Sequence, residues 1–381
     1  VEDFDVVVVG GGPAGSTVAW ALRDSGLSVL LLDKQAFPRD KTCAGWITPA
    51  VIEALDLDLE DYRRERVLQP IHGFRMGMMG GRVVQNDYGA QPVSFGIRRC
   101  EFDHYLLARC GAQVRDDWEV REATREGDRW LVNGVIRARL LVGAGGHFCP
   151  VARRLGARLG REEAVVAAQE VEFAMSPEQV RRCGTQARFP ELYFCTDLAG
   201  YGWVFRKGAY LNVGLGRRDS HRLGEHLSAF CTQMREAGSI PDSMPDRFKG
   251  HAYLLYDCAP RTVVGEGVML VGDAAGLAYT QSGEGIRPAI ESALLAAATI
   301  RVAAGRYGLD RLRRYQDSLV ARFGPRRGAG ARGAPAPSRA KRWLAARLLA
   351  SPWFTRAIVT DQWFLHRQQV GLKPMKMNEK N

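Results

Sequence analysis

The stretch Phe4-Asp5-Val6-Val7-Val8-Val9-Gly10-Gly11-Gly12-Pro13-Ala14-Gly15 decides the fold. Four valines before a glycine run read as a short parallel strand buried on both faces, since such strands lose polar alternation. The G-x-G-x-x-G opens a helical pattern through Val18 and Leu22 to Gly26, and Ser28–Leu32 is a second apolar strand ending in Asp33, 18 residues after Gly15. This order of strand, turn, helix, strand and terminal acid is that of a dinucleotide site. Gly10 permits the tight turn, Gly12 with Pro13 and Ala14 brings a pyrophosphate to the helix N-terminus, and Gly15 lets helix and strand pack closely. Asp33, followed by Lys34, can accept from ribose hydroxyls.

A second glycine-rich stretch, Gly272 to Ile286 (GDAAGLAYTQSGEGI), follows the apolar run Val268–Val271. It reads as another buried parallel strand with Asp273 at its C-terminal end, where open α/β sheets bind ligands. Gly283 and Gly285 then feed an alanine-rich helix from Ile286 to about Ala304, whose first amides can stabilise negative charge. Such a place suits the reduced ring of a flavin, so the two stretches together point to FAD, with Asp273 on the ribityl chain and Gly285 and Ile286 at the ring.

The chain has 381 residues, 46% apolar and 25% charged, the profile of an ordinary globular protein large enough for two domains. Its eight cysteines show no paired zinc spacing and no disulfide ladder, which favours reduced thiols in a cytoplasmic protein without a metal site. Neither a signal-peptide pattern nor a spanning apolar run is evident. The net charge of +11 is uneven: Arg322 to Arg367 hold ten cations against one acid, leaving +2 for the rest.

The two glycine stretches and Arg99-Cys100-Glu101-Phe102-Asp103 resemble the large group of FAD-dependent enzymes that unites aromatic hydroxylases, flavin halogenases and geranylgeranyl reductases. Phe37 to Gly45 (FPRDKTCAG) is similar to the PxxKxCxG loop of the geranylgeranyl reductase branch, and Tyr201 to Phe205 (YGWVF) to its YxWxF motif. The resemblance implies that Arg99 lies along the FAD phosphates or ribityl chain and that Lys41, Cys43, Ala44 and Gly45 sit beside the ring. It also implies an aromatic substrate wall of Tyr201, Trp203 and Phe205, the alternative being ordinary sheet-core packing, and a place for Cys43 near the substrate. His147 and His251 are read as structural histidines rather than proton donors.

Three positions depart from the pattern. Gly145 in Leu140–Cys149 replaces an aspartate that the hydroxylases associate with FAD and NADPH, which leaves the external electron donor unnamed. Thr280 and Arg206 stand where prolines are usual, in loops expected to face the cavity. No WxWxIP halogenase motif is present.

The expected architecture is α/β: a Rossmann-type FAD-binding domain with a glutathione-reductase-like parallel sheet, an inserted antiparallel-sheet substrate domain and a helical C-terminal extension. Residues 1–70, 96–160 and 256–323 are assigned to the FAD domain, 71–95 and 161–255 to the substrate domain, and 324–381 to a basic linker with C-terminal helices. The helices, Ser338–Ala350 and one carrying Trp353, Phe354, Ile358, Phe364 and Leu365, either dock on the FAD domain as a lid or make peripheral contact with an anionic membrane. Nucleic acid is not expected, because no reading motif accompanies the charge.

The expected activity is reduction of alkene bonds in an isoprenoid or other apolar lipid. The alternatives are FAD-dependent hydroxylation of an aromatic or polyketide-like compound or a protein side chain, and a non-catalytic flavin-binding electron carrier.

Overall fold

The computed structural model describes residues 1–158, 163, 165–219, 221–259, 261–326 and 337–374. The strand Glu2–Val9 forms the middle of an eight-stranded sheet, parallel to Val29–Leu32 on one side and to Ile136–Gly143 on the other. Val268–Leu270 and Gln113–Arg115 extend the parallel layer outward, and a meander of Ala123–Glu126 and Arg129–Val132 adds antiparallel strands. Val6, Val7, Val8, Leu30, Leu31, Leu140 and Leu141 are all sealed from water. Burial on both faces is what a run without polar alternation demands.

The helices Pro13–Leu22 and Ile286–Ala303 pack against each other on this sheet. Their close approach relies on small buried residues, Ala19 on one and Ala289, Ala293, Ala296 and Ala297 on the other. Arg301 fastens the far end by donating to the Ala21 carbonyl at 2.6 Å.

A seven-stranded sheet runs Lys249–Leu254, Val165–Ala174, Tyr210–Arg217, Gly200–Lys207, Glu191–Phe194, Gly73–Met78 and Val83–Asp87. All its pairings are antiparallel except that of Glu191–Phe194 with Gly73–Met78. One face is covered by the helix Leu223–Glu236, with Phe230 and Met234 in its core. Between the two large sheets lies a small antiparallel one, Trp46–Ile47, Ser94–Ile97 and Leu68–Ile71. It straddles the boundaries expected between the FAD domain, 1–70 and 96–160, and the substrate-domain segment 71–95, and its strands are too short to carry a period. Of the strand that the apolar pattern predicts over Ala164–Phe173, the part from Val165 forms and Ala164 lies outside the described residues.

The C-terminal segment docks elsewhere than the lid expectation placed it. Its inner side docks on the seven-stranded sheet rather than mainly on the nucleotide domain: Leu349, Val359, Phe364 and Leu365 are buried against Trp46, Phe74 and Met76. The helix Arg339–Leu349 forms as expected, but the next one is α-helical only over Pro352–Phe354 and widens into a π-helix over Thr355–Phe364. Thr360 Oγ1 donates to the Thr355 carbonyl five residues back, and the Leu365 amide to that of Thr360, bonds that replace the tighter helical ladder. The expected linker falls largely on residues 327–336, outside the described set.

Candidate functional site

The first glycine turn is fixed by sterics. Gly10 has φ +116° and a Cβ there would stand 2.4 Å from the Ala144 carbonyl oxygen, while one on Gly15 would reach the Gly10 oxygen at 1.8 Å. A Cβ on Gly12 would meet only the Arg39 guanidinium, at 3.4 Å. The helix beginning at Pro13 has no side-chain cap and no acid in its first turn, so its leading amides face that space unpaired by side chains. Asp33 is buried beside it, accepting from the Gly11 amide at 2.7 Å. Lys34 beside it is exposed. An uncapped helix start, a glycine cradle and a buried acid at the strand end suit the ADP half of FAD.

Arg99 sits across the groove, buried, with both ends of its guanidinium on Asp103 at 2.8 and 2.9 Å. Arg39 reaches the same carboxylate at 3.4 Å and Asp33 at 3.7 Å. Neither Arg39 nor Asp103 was singled out from sequence. The signal was the Phe-Asp of the Arg99 segment and the cationic loop opposite it.

Asp273 leads into the second half of the site. Lys41 Nζ lies 2.7 Å from His251 Nε2, which is 3.5 Å from Asp273 Oδ2. The one ring nitrogen Nε2 thus faces both the Lys41 amine and the Asp273 carboxylate. Burial drives the Lys41 amine down to about 8 and lowers His251 too. Burial pushes Asp273 upward, but His251, Lys41 and Arg99 outweigh it and hold the carboxyl at about 2. His251 therefore belongs to the site, where sequence reading had left it structural. His147 does not: buried, lowered to about 4 by burial and Arg261, it is a partner of the Arg261–Glu163 ion pair.

The Cys43 loop is clamped from the neighbouring sheet at both its amide and its carbonyl. The Cys43 N–H donates to Glu170 Oε1 at 2.8 Å, and its C=O accepts from Asn212 Nδ2 at 3.1 Å. Asn212 also donates to Glu170 Oε2 at 2.8 Å and accepts from the Trp203 indole at 2.7 Å. The indole fits because Gly214 lies under it, where a Cβ would stand 2.3 Å from the ring. Asn212, Gly214 and Gly216 alternate along one face of their strand, which gives the indole a flat bed and a terminal acceptor. Burial raises Glu170 to about 7 against the lowering pull of Asn212 and the Cys43 amide. Next to this clamp, Lys207 is buried and paired with Glu172 at 2.7 Å. Cys43, Lys41, Arg99, Glu170 and Glu172 border a cavity of about 130 Å³.

Several predicted residues stand otherwise than expected. Trp203 and Phe205 do not line an open slot: both are buried, with Phe205 against Trp46 at 5.1 Å and Phe364 filling the space over Trp46 and Tyr201. Their face is apolar, and the C-terminal segment covers it. Tyr201 is half-buried, its hydroxyl donating to the Ser282 carbonyl at 2.5 Å. The amides at the start of the late helix are not all free either. Glu284 folds back to accept from the Arg287 amide at 2.7 Å, so a protein carboxylate already answers the charge of this helix end beside Gly285 and Ile286. Its other oxygen is buried without a partner, and burial lifts the carboxyl to about 7. Gly283 packs under the Tyr253 hydroxyl. Arg206 lies within a strand rather than a loop, donating to the Gly208 carbonyl.

A parallel nucleotide sheet joined to an antiparallel roof, with the groove between them lined by Asp33, Arg99, Lys41 and Asp273, defines an FAD-dependent oxidoreductase. The FAD-binding-domain family model matches residues 3–322. The chain belongs to that family, in its geranylgeranyl reductase branch. It is 32% identical over 321 residues to menaquinone reductase of Mycobacterium tuberculosis, covering 78% of this chain and 76% of that one. It is 29% identical over 307 residues to digeranylgeranylglycerophospholipid reductase of Methanocaldococcus jannaschii, covering 77% and 75%. A geranylgeranyl bacteriochlorophyll reductase-like protein of Thermoplasma acidophilum shares the fold with a TM-score of 0.73, at 22% identity over 92% of this chain and 88% of that one. A point mutant of the halogenase PltM in complex with FAD shares it at 0.66, with 17% identity over 84% and 74%.

Proposed function

We propose that the protein reduces alkene bonds of an isoprenoid or other apolar lipid. The observation that carries this reading is the meeting of the Lys41–Cys43 loop, His251 and Asp273 beside an apolar aromatic cluster. Relatives named for geranylgeranyl lipids and menaquinone support the substrate class. Bound FAD supplies the hydride in such a reduction. The chain binds and orients it through Gly12, Asp33, Arg99 and Asp273, in this proposal, and places the alkene by the Cys43–Gly45 loop. Lys41 Nζ holds the proton for the neighbouring carbon: near neutral pH the ammonium is the dominant form yet acidic enough to give a proton up. The aromatic roof excludes water, which strengthens both charges at work beneath it. A lipid substrate implies peripheral membrane contact in the cytoplasm through the basic C-terminal helices.

The test is incubation of the reduced holoprotein, without oxygen, with a geranylgeranyl lipid, followed by mass spectrometry. Gain of hydrogen pairs in the prenyl chain supports the proposal. Untouched lipid alongside incorporation of isotopically labelled oxygen into an aromatic acceptor would overturn it in favour of hydroxylation. Electron delivery to a partner protein with neither product would overturn it in favour of a carrier.

A further inference from the structure

We propose that the outer face of the helix Arg339–Leu349, with Trp353 just beyond it, docks on the headgroup region of an anionic lipid bilayer. The inner face is accounted for by its burial on the seven-stranded sheet through Leu349. At about 100° per residue, Trp343, Leu344 and Arg347 fall on the side away from Leu349. Trp343 is 63% exposed, Leu344 51% and Trp353 69%. Arg347 lies over the Trp343 ring at 5.4 Å, and Lys341 and Arg342 stand exposed alongside. Residues 337–374 hold seven cations and one acid, Asp361. That acid is taken up by the Tyr88 hydroxyl at 2.9 Å and by Arg367 at 3.5 Å.

Two water-facing indoles and a leucine ringed by cations have the makeup of a helix lying in a membrane interface: apolar tips enter the headgroup level while the charges meet lipid phosphates. Nucleic acid would answer the charge but leave the apolar tips wet. A second copy meeting this face about a two-fold axis would set cation against cation. The same segment presents Phe364 to Tyr201 on its inner side, at 5.6 Å, so docking brings the cover of the aromatic roof to the lipid boundary. Delivery of substrate by that route rests on the reductase reading; the docking itself does not.

The full-length holoprotein is sedimented with vesicles of phosphatidylcholine alone and of phosphatidylcholine mixed with phosphatidylglycerol. Binding is expected to the mixed vesicles only, to fade with added salt, and to shift tryptophan fluorescence to the blue. Each cation contributes about fivefold in affinity, so Lys341→Gln/Arg342→Gln/Arg347→Gln loses on the order of a hundredfold. Trp343→Ser/Trp353→Ser loses vesicle binding and the blue shift while flavin content and melting temperature stay as in the wild type. Absence of binding, equal binding to both vesicles, or variants that bind like the wild type would overturn the proposal. So would a concentration-dependent dimer that the tryptophan variant abolishes. Intact vesicle binding without alkene reduction would sink the functional reading and leave this surface standing.

Discussion

Replacing Asn212 by leucine isolates the clamp on the Cys43 loop. Leucine keeps asparagine's branching and is somewhat larger, so the loss is polar rather than a cavity. The buried Trp203 indole N–H is left unpaired, which costs about 1–3 kcal/mol, and Glu170 loses a donor to its carboxylate, about 1.5–3 kcal/mol. The two losses share one side chain and do not simply add, so the expected destabilisation is about 3–5 kcal/mol. That is a large part of an ordinary domain's stability. The sign with pH follows from Glu170. Its folded value near 7 lies above the unfolded 4.5, so its contribution is most favourable below that unfolded value and is lost as pH rises through 7. Without Asn212 the carboxyl climbs further, and protonation relieves part of the penalty in acid. Urea denaturation should therefore show the largest wild-type-minus-variant gap in alkaline buffer and a smaller one in mild acid. The bound flavin's visible spectrum should shift as the loop relaxes. A variant with wild-type stability at every pH and an unchanged flavin spectrum would refute the clamp.

Gly214→Ala puts a methyl 2.3 Å from the Trp203 ring, and overpacking of this kind should lower stability by about 1–3 kcal/mol in thermal denaturation. Glu170→Gln removes a titration that spans 4.5 to about 7, so the fall in wild-type stability across that window, about 3 kcal/mol, should flatten in parallel urea series. Gly15→Ala drives a Cβ into the Gly10 carbonyl, and the purified protein should come out without yellow colour, read from its absorbance. Lys41→Met should keep its flavin and lose alkene reduction, and the wild-type rate should fall as pH rises through about 8, where the amine gives up its proton.

What the sequence disclosed depended on how near the partners lie along the chain. Val6–Val9, the glycine turn and Asp33 fall within one short unit, so pattern and spacing carry the whole meaning. The clamp is different. Cys43 meets Glu170 across 127 residues and Asn212 across 169, and Lys41 meets His251 across 210. Nothing local marks Asn212 or Glu170 as partners, although Asn-x-Gly-x-Gly opposite a strand tryptophan is a pattern that can be sought. Trp203 and Phe205 share one face of their strand by alternation, but the cluster they join is completed by Trp46 and Phe364, far apart in the chain. Helical spacing failed over Thr355–Phe364 because threonine hydroxyls and wider backbone bonds change the turn. The fold, written in contiguous apolar runs, was legible; the charge network, assembled from three separate elements, was not.

The central claim is tested most directly by single-turnover kinetics. The protein is photoreduced without oxygen and mixed either with a geranylgeranyl lipid or with aerated buffer, while the absorbance of oxidised flavin is followed. We expect fast recovery with the lipid, matched by loss of double bonds, and slow recovery in air. Fast recovery in air together with an inert lipid would contradict the account.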